Sequence, residues 1–154
     1  MDTLNENCGL PEINKEGKIL AQLNLNADIP ALKIFKYYCH EIASLYLKEP
    51  DKIFEFILCS DEVFVNCIVH GYKGKGGVVN IQFELEDNYL VTYIRDFGVG
   101  ICEKYLEGIP ELVEDPFCEN GRGLFLVNSL SSKLEIERCQ DQGTLVKIYF
   151  ERMC

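Results

Sequence analysis

Apolar and polar residues alternate with a period of two near the start of the chain. Ile19, Ala21, Leu23 and Leu25 fall on one side and Leu20, Gln22, Asn24 and Asn26 on the other, which predicts a β-strand. After Asp28, suited to cap a helix with Pro30 just inside, apolar residues at 31, 32, 34, 35, 38, 42, 45 and 46 set a helical period up to Glu49. Pro50 and Asp51 restart the pattern, and a second helix is predicted to run to about Tyr72, closed by Gly71, Gly74, Gly76 and Gly77. Residues 78–85 and 89–95 read as two strands joined through Glu86, Asp87 and Asn88, a turn suited to a hairpin. Residues 98–121 show little periodicity and hold Pro110 and Pro116, and a loop of that length inside a compact domain is usually functional or mobile. A short helix over 124–130 and a second hairpin, 133–138 with 144–151, close the pattern. The order β-α-α-β-β-loop-α-β-β predicts an α+β fold: a two-layer sandwich with helices packed on one face of a mixed, mostly antiparallel sheet. Residues 1–16 read as a polar N-terminal extension and 17–154 as one domain.

Composition narrows the classes of function. The chain is 47% hydrophobic and 11% aromatic with five prolines, which is enough core material for a folded domain and too much for a disordered tail. Its net charge of −10 repels phosphate backbones and anionic lipid, so neither direct nucleic-acid binding nor membrane binding is expected. A phosphorylated ligand would need a local anion-binding device. No stretch approaches the ~20 apolar residues of a membrane span, and the acidic, polar start is unlike a secretory signal, so a cytoplasmic protein is expected. The eight cysteines are scattered, without a C-x-x-C pair or metal-ligand spacing, and read as reduced, small apolar fillers.

Three segments carry candidate chemistry. At about 100° per residue, Glu62, Asn66 and His70 line up on one side of the second helix, while Ile53, Ile57, Phe64 and Ile68 fall on the opposite, core side. Asn66 offers a neutral oxygen to a hard cation such as Mg²⁺, and Glu62 is a base one turn away; a solvated helix face, shared with Lys52 and Glu55, is the plain alternative. Asp96-Phe97-Gly98-Val99-Gly100 follows a strand, so the aspartate can accept from an exocyclic amine while the glycines admit a flat ring or a phosphate; a simple turn would look the same. A dinucleotide fingerprint is excluded by Glu103 at the third glycine position, and the kinase-like Asp96-Phe97-Gly98 lacks every companion motif. Asn120-Gly121-Arg122-Gly123-Leu124 opens a helix, where free backbone N–H groups and the helix dipole can hold an anion, though loop closure alone would also use these glycines. Gly143-Thr144 at the start of the last strand says little by itself.

Taken in order, E-x-x-x-N on a helix, D-x-G-x-G after a strand, G-x-G-L opening a helix and a late G-T resemble the N, G1 and G2 boxes of the GHKL (histidine kinase-like) ATPase superfamily. Within it, Ser60-Asp61-Glu62-x-x-x-Asn66 with His70-Gly71-Tyr72, Arg95-Asp96-x-Gly98-Val99-Gly100-Ile101 and Gly121-Arg122-Gly123-Leu124-x-Leu126-Val127 are similar to the anti-sigma factor serine kinases. The resemblance spans about residues 17–151. It implies ATP and Mg²⁺ as cofactors, Asn66 as the Mg²⁺ ligand, and Asp96 as the acceptor for the adenine amino group, with Gly98 and Gly100 admitting the base and Thr144 supporting the pocket. It further implies that Gly121, Arg122, Gly123 and Leu124 wrap the phosphates beneath a lid over about 101–120, with Glu62 as general base. The implied function is a serine/threonine protein kinase and anti-sigma factor that regulates transcription. Its implied partners are a STAS-class antagonist, which it phosphorylates, and a sigma factor, which it sequesters as a homodimer. The alternative left open is a nucleotide-gated binding module with the same ATP site and no phosphoryl transfer. Cys67 stands where the subgroup usually has alanine, and Ser131-Ser132 where it often has an acidic run.

Overall fold

The computed structural model describes residues 17–100 and 121–152. The expected N-terminal extension and the expected lid over 101–120 lie outside them. The elements run β1 (Gly17–Asn26), α1 (Ile29–Tyr46), α2 (Pro50–Asn66), a π-helical turn (Cys67–Gly71), β2 (Val78–Glu86), β3 (Tyr89–Asp96), α3 (Gly121–Leu130), β4 (Lys133–Arg138) and β5 (Thr144–Glu151). The strands form one sheet in the order β1-β2-β3-β5-β4, and every described pairing is antiparallel. This is the expected α+β architecture.

Local chemistry accounts for the element ends. Asp28 stays extended and its carboxylate accepts from the Ala31 N–H at 2.8 Å, satisfying one of the orphan donors of α1. Pro50 begins α2, where its missing N–H costs nothing. Asp87 takes φ 53° in the two-residue turn between β2 and β3, as the right-handed twist of a tight hairpin asks.

α2 is the middle helix, packed against α1 on one side and α3 on the other. Beneath it, Phe35, Phe56, Phe64, Phe83 and Phe150 pack ring to ring and are almost wholly buried. Each such side chain stabilises the fold by roughly 1.5–3 kcal/mol. The buried side of α2 is broader than its spacing suggests: Phe56, Cys59, Ser60 and Val63 join Phe64, whereas Ile53 and Ile57 sit at the margin, because α1, α3 and the sheet enclose the helix from three directions.

Four local expectations are corrected. The register of β1 shifts between Ile19 and Ala21, and Leu20, not Ile19, joins Ala21, Leu23 and Leu25 on the core. A bulge places two residues against one and reverses the parity of everything before it. The second helix does not continue to Tyr72 as an α-helix but widens into the π turn after Asn66. α3 begins at Gly121, so its glycines form its first turn instead of preceding it. Among the cysteines, Cys39, Cys59 and Cys67 are free and buried, as fillers should be, but Cys139 is disulfide-bonded, and such pairing depends on spatial proximity that spacing along the chain does not record.

Candidate functional site

The alternation of β3 puts Leu90, Thr92, Ile94 and Asp96 on the helix-facing side of the sheet and Val91, Tyr93 and Arg95 on the other. Asp96 therefore ends the strand pointing at the helical layer, and on β5 its register partner is Thr144. Above them run the end of α2, the π turn and the start of α3. The result is a cleft lined by Asn66, His70, Gly71, Asp96, Gly100 and Thr144 and walled by the apolar Val63, Cys67, Leu124 and Val146. An apolar slot with a few convergent polar groups is the usual form of a small-molecule site.

Asp96 is 7% exposed. Burial pushes its pKa above the ordinary carboxylate value, opposed by hydrogen bonds that favour the ionised form. The Gly98 N–H donates to Oδ1 at 2.9 Å, and the Thr144 backbone and the Cys67 thiol also bond the carboxylate. Burial likewise drives the Cys67 thiol well up, so it stays protonated and serves as a donor.

The glycine loop is seated on the π turn. The Val99 N–H donates to the Gly71 carbonyl at 2.9 Å, and a Cβ at Gly98 would collide with that carbonyl. Gly71 itself faces the Asp96 carboxylate, where a Cβ would lie 3.3 Å from Cγ. Gly100 adopts φ +89°, a left-handed conformation open to glycine without strain. Tyr72 straps these pieces together: its hydroxyl donates to the Val78 carbonyl at 2.6 Å and accepts from the Phe97 N–H at 2.8 Å.

At the other end of the cleft, α3 starts over the polar side of α2. A Cβ on Gly123 would come within 2.8 Å of Glu62 Oε2 and 3.7 Å of Asn66 Nδ2, so glycine lets the first turn of α3 approach both side chains closely. Leu124 is buried at the cleft wall, while Arg122 is exposed. The structure thus gathers Asn66, Asp96, Gly100, Leu124 and Thr144 around one cavity. Gly98 lies beneath it, and Glu62 and Gly123 at its α3 end. Lys52 and Glu55, on the same side of α2, pair with each other at 3.1 Å. Sequence reasoning gave no role in the site to Gly71, Tyr72 or Arg95, although all three stand in strings that carried the resemblance, His70-Gly71-Tyr72 and Arg95-Asp96-x-Gly98.

Residues 27–150 match the histidine kinase-like ATPase domain family. The chain belongs to that family. The family is an ATP-binding one, and its members similar to this chain include the anti-sigma F factor of Clostridium acetobutylicum, 32% identical over 99 residues that cover 62% of this chain and 68% of that protein. The anti-sigma F factor of Bacillus licheniformis is 30% identical over 100 residues, 64% and 68% of the two chains. That of a Thermoanaerobacter species is 29% identical over 93 residues, 56% and 62%. No helix among the described residues of this ATPase domain is long and apolar enough to cross a membrane.

Proposed function

We propose that this protein is an ATP- and Mg²⁺-dependent serine/threonine kinase that phosphorylates a small STAS-class antagonist, and an anti-sigma factor that sequesters a sigma factor, acting as a homodimer in the cytoplasm. The observation that carries this reading is that Glu62 and Asn66, one turn apart on α2, both face Gly123 in the first turn of α3. A base and a cation ligand there would meet one phosphate group, held by amides whose orientation and dipole favour an anion. The anti-sigma F factors similar to this chain support the choice of partners.

In this reading Asp96 accepts from the adenine amino group, Gly98 and Gly100 leave room for the ring, and Thr144 closes the pocket from β5. Gly121, Arg122, Gly123 and Leu124 bring the start of α3 to the phosphates. Residues 1–16 are an extension to a domain spanning 17–154. Magnesium fits the donor chemistry, since Asn66 lines the cleft and carries a neutral amide oxygen of the kind a hard cation takes. A hard cation that keeps its waters and shares the phosphates needs no protein cage. When bound it would neutralise phosphate charge. Glu62 takes the proton from the serine hydroxyl of the antagonist, a contribution of about 10²- to 10⁴-fold.

The test is transfer from labelled ATP to a purified STAS-class antagonist. The wild-type protein should transfer phosphate, and Glu62→Ala should bind ATP without transferring it. Transfer that survives in Glu62→Ala overturns the assigned base; ATP binding without transfer by the wild type favours the nucleotide-gated module.

A further inference from the structure

Arg95 is the largest fully buried side chain described, only 1% exposed. It takes no part in the roles above and lies on the side of the sheet away from the cleft. A buried guanidinium is costly unless each donor is met, and several of the Arg95 partners belong to the strand ends and turn that carry the cleft. Nη2 donates to Asp141 Oδ1 at 2.9 Å. Nη1 donates to the Gln142 carbonyl at 2.7 Å and to the Asp96 carbonyl. The guanidinium carbon sits 3.9 Å from the centre of the Phe97 ring. Between these partners, Gly143 takes φ +88°, and a Cβ there would collide with the Asp96 carbonyl and lie 2.7 Å from Nη1. The turn at 141–143 is thereby drawn onto the end of β3, and the residue that follows is Thr144, register partner of Asp96.

We infer that Arg95, anchored by Asp141, is a positioning residue for the nucleobase half of the cleft: it clamps the 141–143 turn to the Asp96 backbone and so fixes Thr144 against the Asp96 carboxylate. The inference rests on the proposed reading of Asp96 and Thr144 as the adenine subsite. Arg95 acts from the side of the sheet opposite α2 and α3, the elements that build the phosphate half. A planar fork that serves several acceptors at once is a task for arginine that lysine does not reproduce.

The test separates the two halves of the cleft. Wild type, Arg95→Lys and Asp141→Ala are titrated with ATP and, separately, with inorganic tripolyphosphate, both with Mg²⁺. Asp141 is 68% exposed, so Asp141→Ala keeps the test open if Arg95→Lys fails to fold. ATP affinity should fall about tenfold in Arg95→Lys and severalfold in Asp141→Ala, the scale of one lost charged hydrogen bond. Tripolyphosphate affinity should stay within about twofold of wild type, and the preference for ATP over GTP should narrow. Equal losses for both ligands would mark Arg95 as a general structural residue and overturn the inference, as would unchanged ATP affinity in Asp141→Ala. A wild type that binds tripolyphosphate but discriminates no nucleobase overturns the adenine reading itself.

Discussion

Gly98 lies against the backbone of Gly71, 27 positions earlier in the chain, with no room between them for a methyl group. The contact seats the loop after β3 on the π turn after α2, and the Val99 N–H bond to the Gly71 carbonyl locks it. π turns inserted in α-helices are frequent at functional sites, and here the widened turn places Gly71 facing both Gly98 and the Asp96 carboxylate.

Gly98→Ala should therefore damage both stability and binding. The obstacle is backbone, which cannot rotate away, so a loss of roughly 1–3 kcal/mol or more is expected from overpacking. Urea denaturation should show a lower midpoint, and calorimetry a loss of ATP binding even at temperatures where the variant remains folded.

Gly123→Ala should separate the two effects. The atom nearest to the added methyl is the far end of Glu62, which can swing aside, and alanine favours a helix interior over glycine by about 1 kcal/mol. Stability should be kept or slightly raised while phosphoryl transfer falls, because Glu62 is pushed from its place beside α3. Equal losses in thermal stability and transfer would refute this account.

Asp96→Asn should stabilise the empty protein and weaken ATP binding. Burial holds the Asp96 pKa above its ordinary 3.8, so the native state binds this proton more tightly than the unfolded chain. Stability then declines as pH rises from 3.8 through the raised value, and the ionised carboxylate remains a burden at neutral pH. Asparagine carries no charge and can still accept from the Gly98 N–H. Thermal melts across this range should show a flatter pH dependence for Asp96→Asn than for wild type, and a melting temperature at neutral pH that is no lower. Wild-type ATP affinity should fall as acid protonates Asp96.

Tyr72→Phe removes one hydroxyl that serves two backbone groups, leaving the Val78 carbonyl and the Phe97 N–H without it. The expected loss is about 1–3 kcal/mol. Faster hydrogen exchange should appear at the Phe97 amide, with the α1 amides unaffected below the global unfolding limit.

Much of the fold was legible because its signals are local. The cap at Asp28, the restart at Pro50, the hairpin turn at Asp87 and the strand or helix period of each segment depend on residues within a few positions of one another. The candidate residues were legible for the same reason: Glu62 and Asn66 share a helix side, and Asp96, Gly98 and Gly100 share one strand end. What escaped involved a local event that changes the period without a compositional mark. The bulge that exchanges Ile19 for Leu20 is one, and the π turn at Cys67–Gly71 another.

The sequence by itself determined the α+β layering, the order of the motifs and the residue types offered to a nucleotide, since these follow from hydrophobic period and from the chemistry of carboxylate, amide and glycine. Only the tertiary structure decided which of those residues meet. Gly71 against Gly98, Gly123 over Glu62, and Arg95 reaching Asp141 and Gln142 join positions 27 to 61 residues apart. Contacts at such separations arise when layers pack and strands register, and a one-dimensional pattern records which faces are apolar but not which opposing atoms they bring into touch.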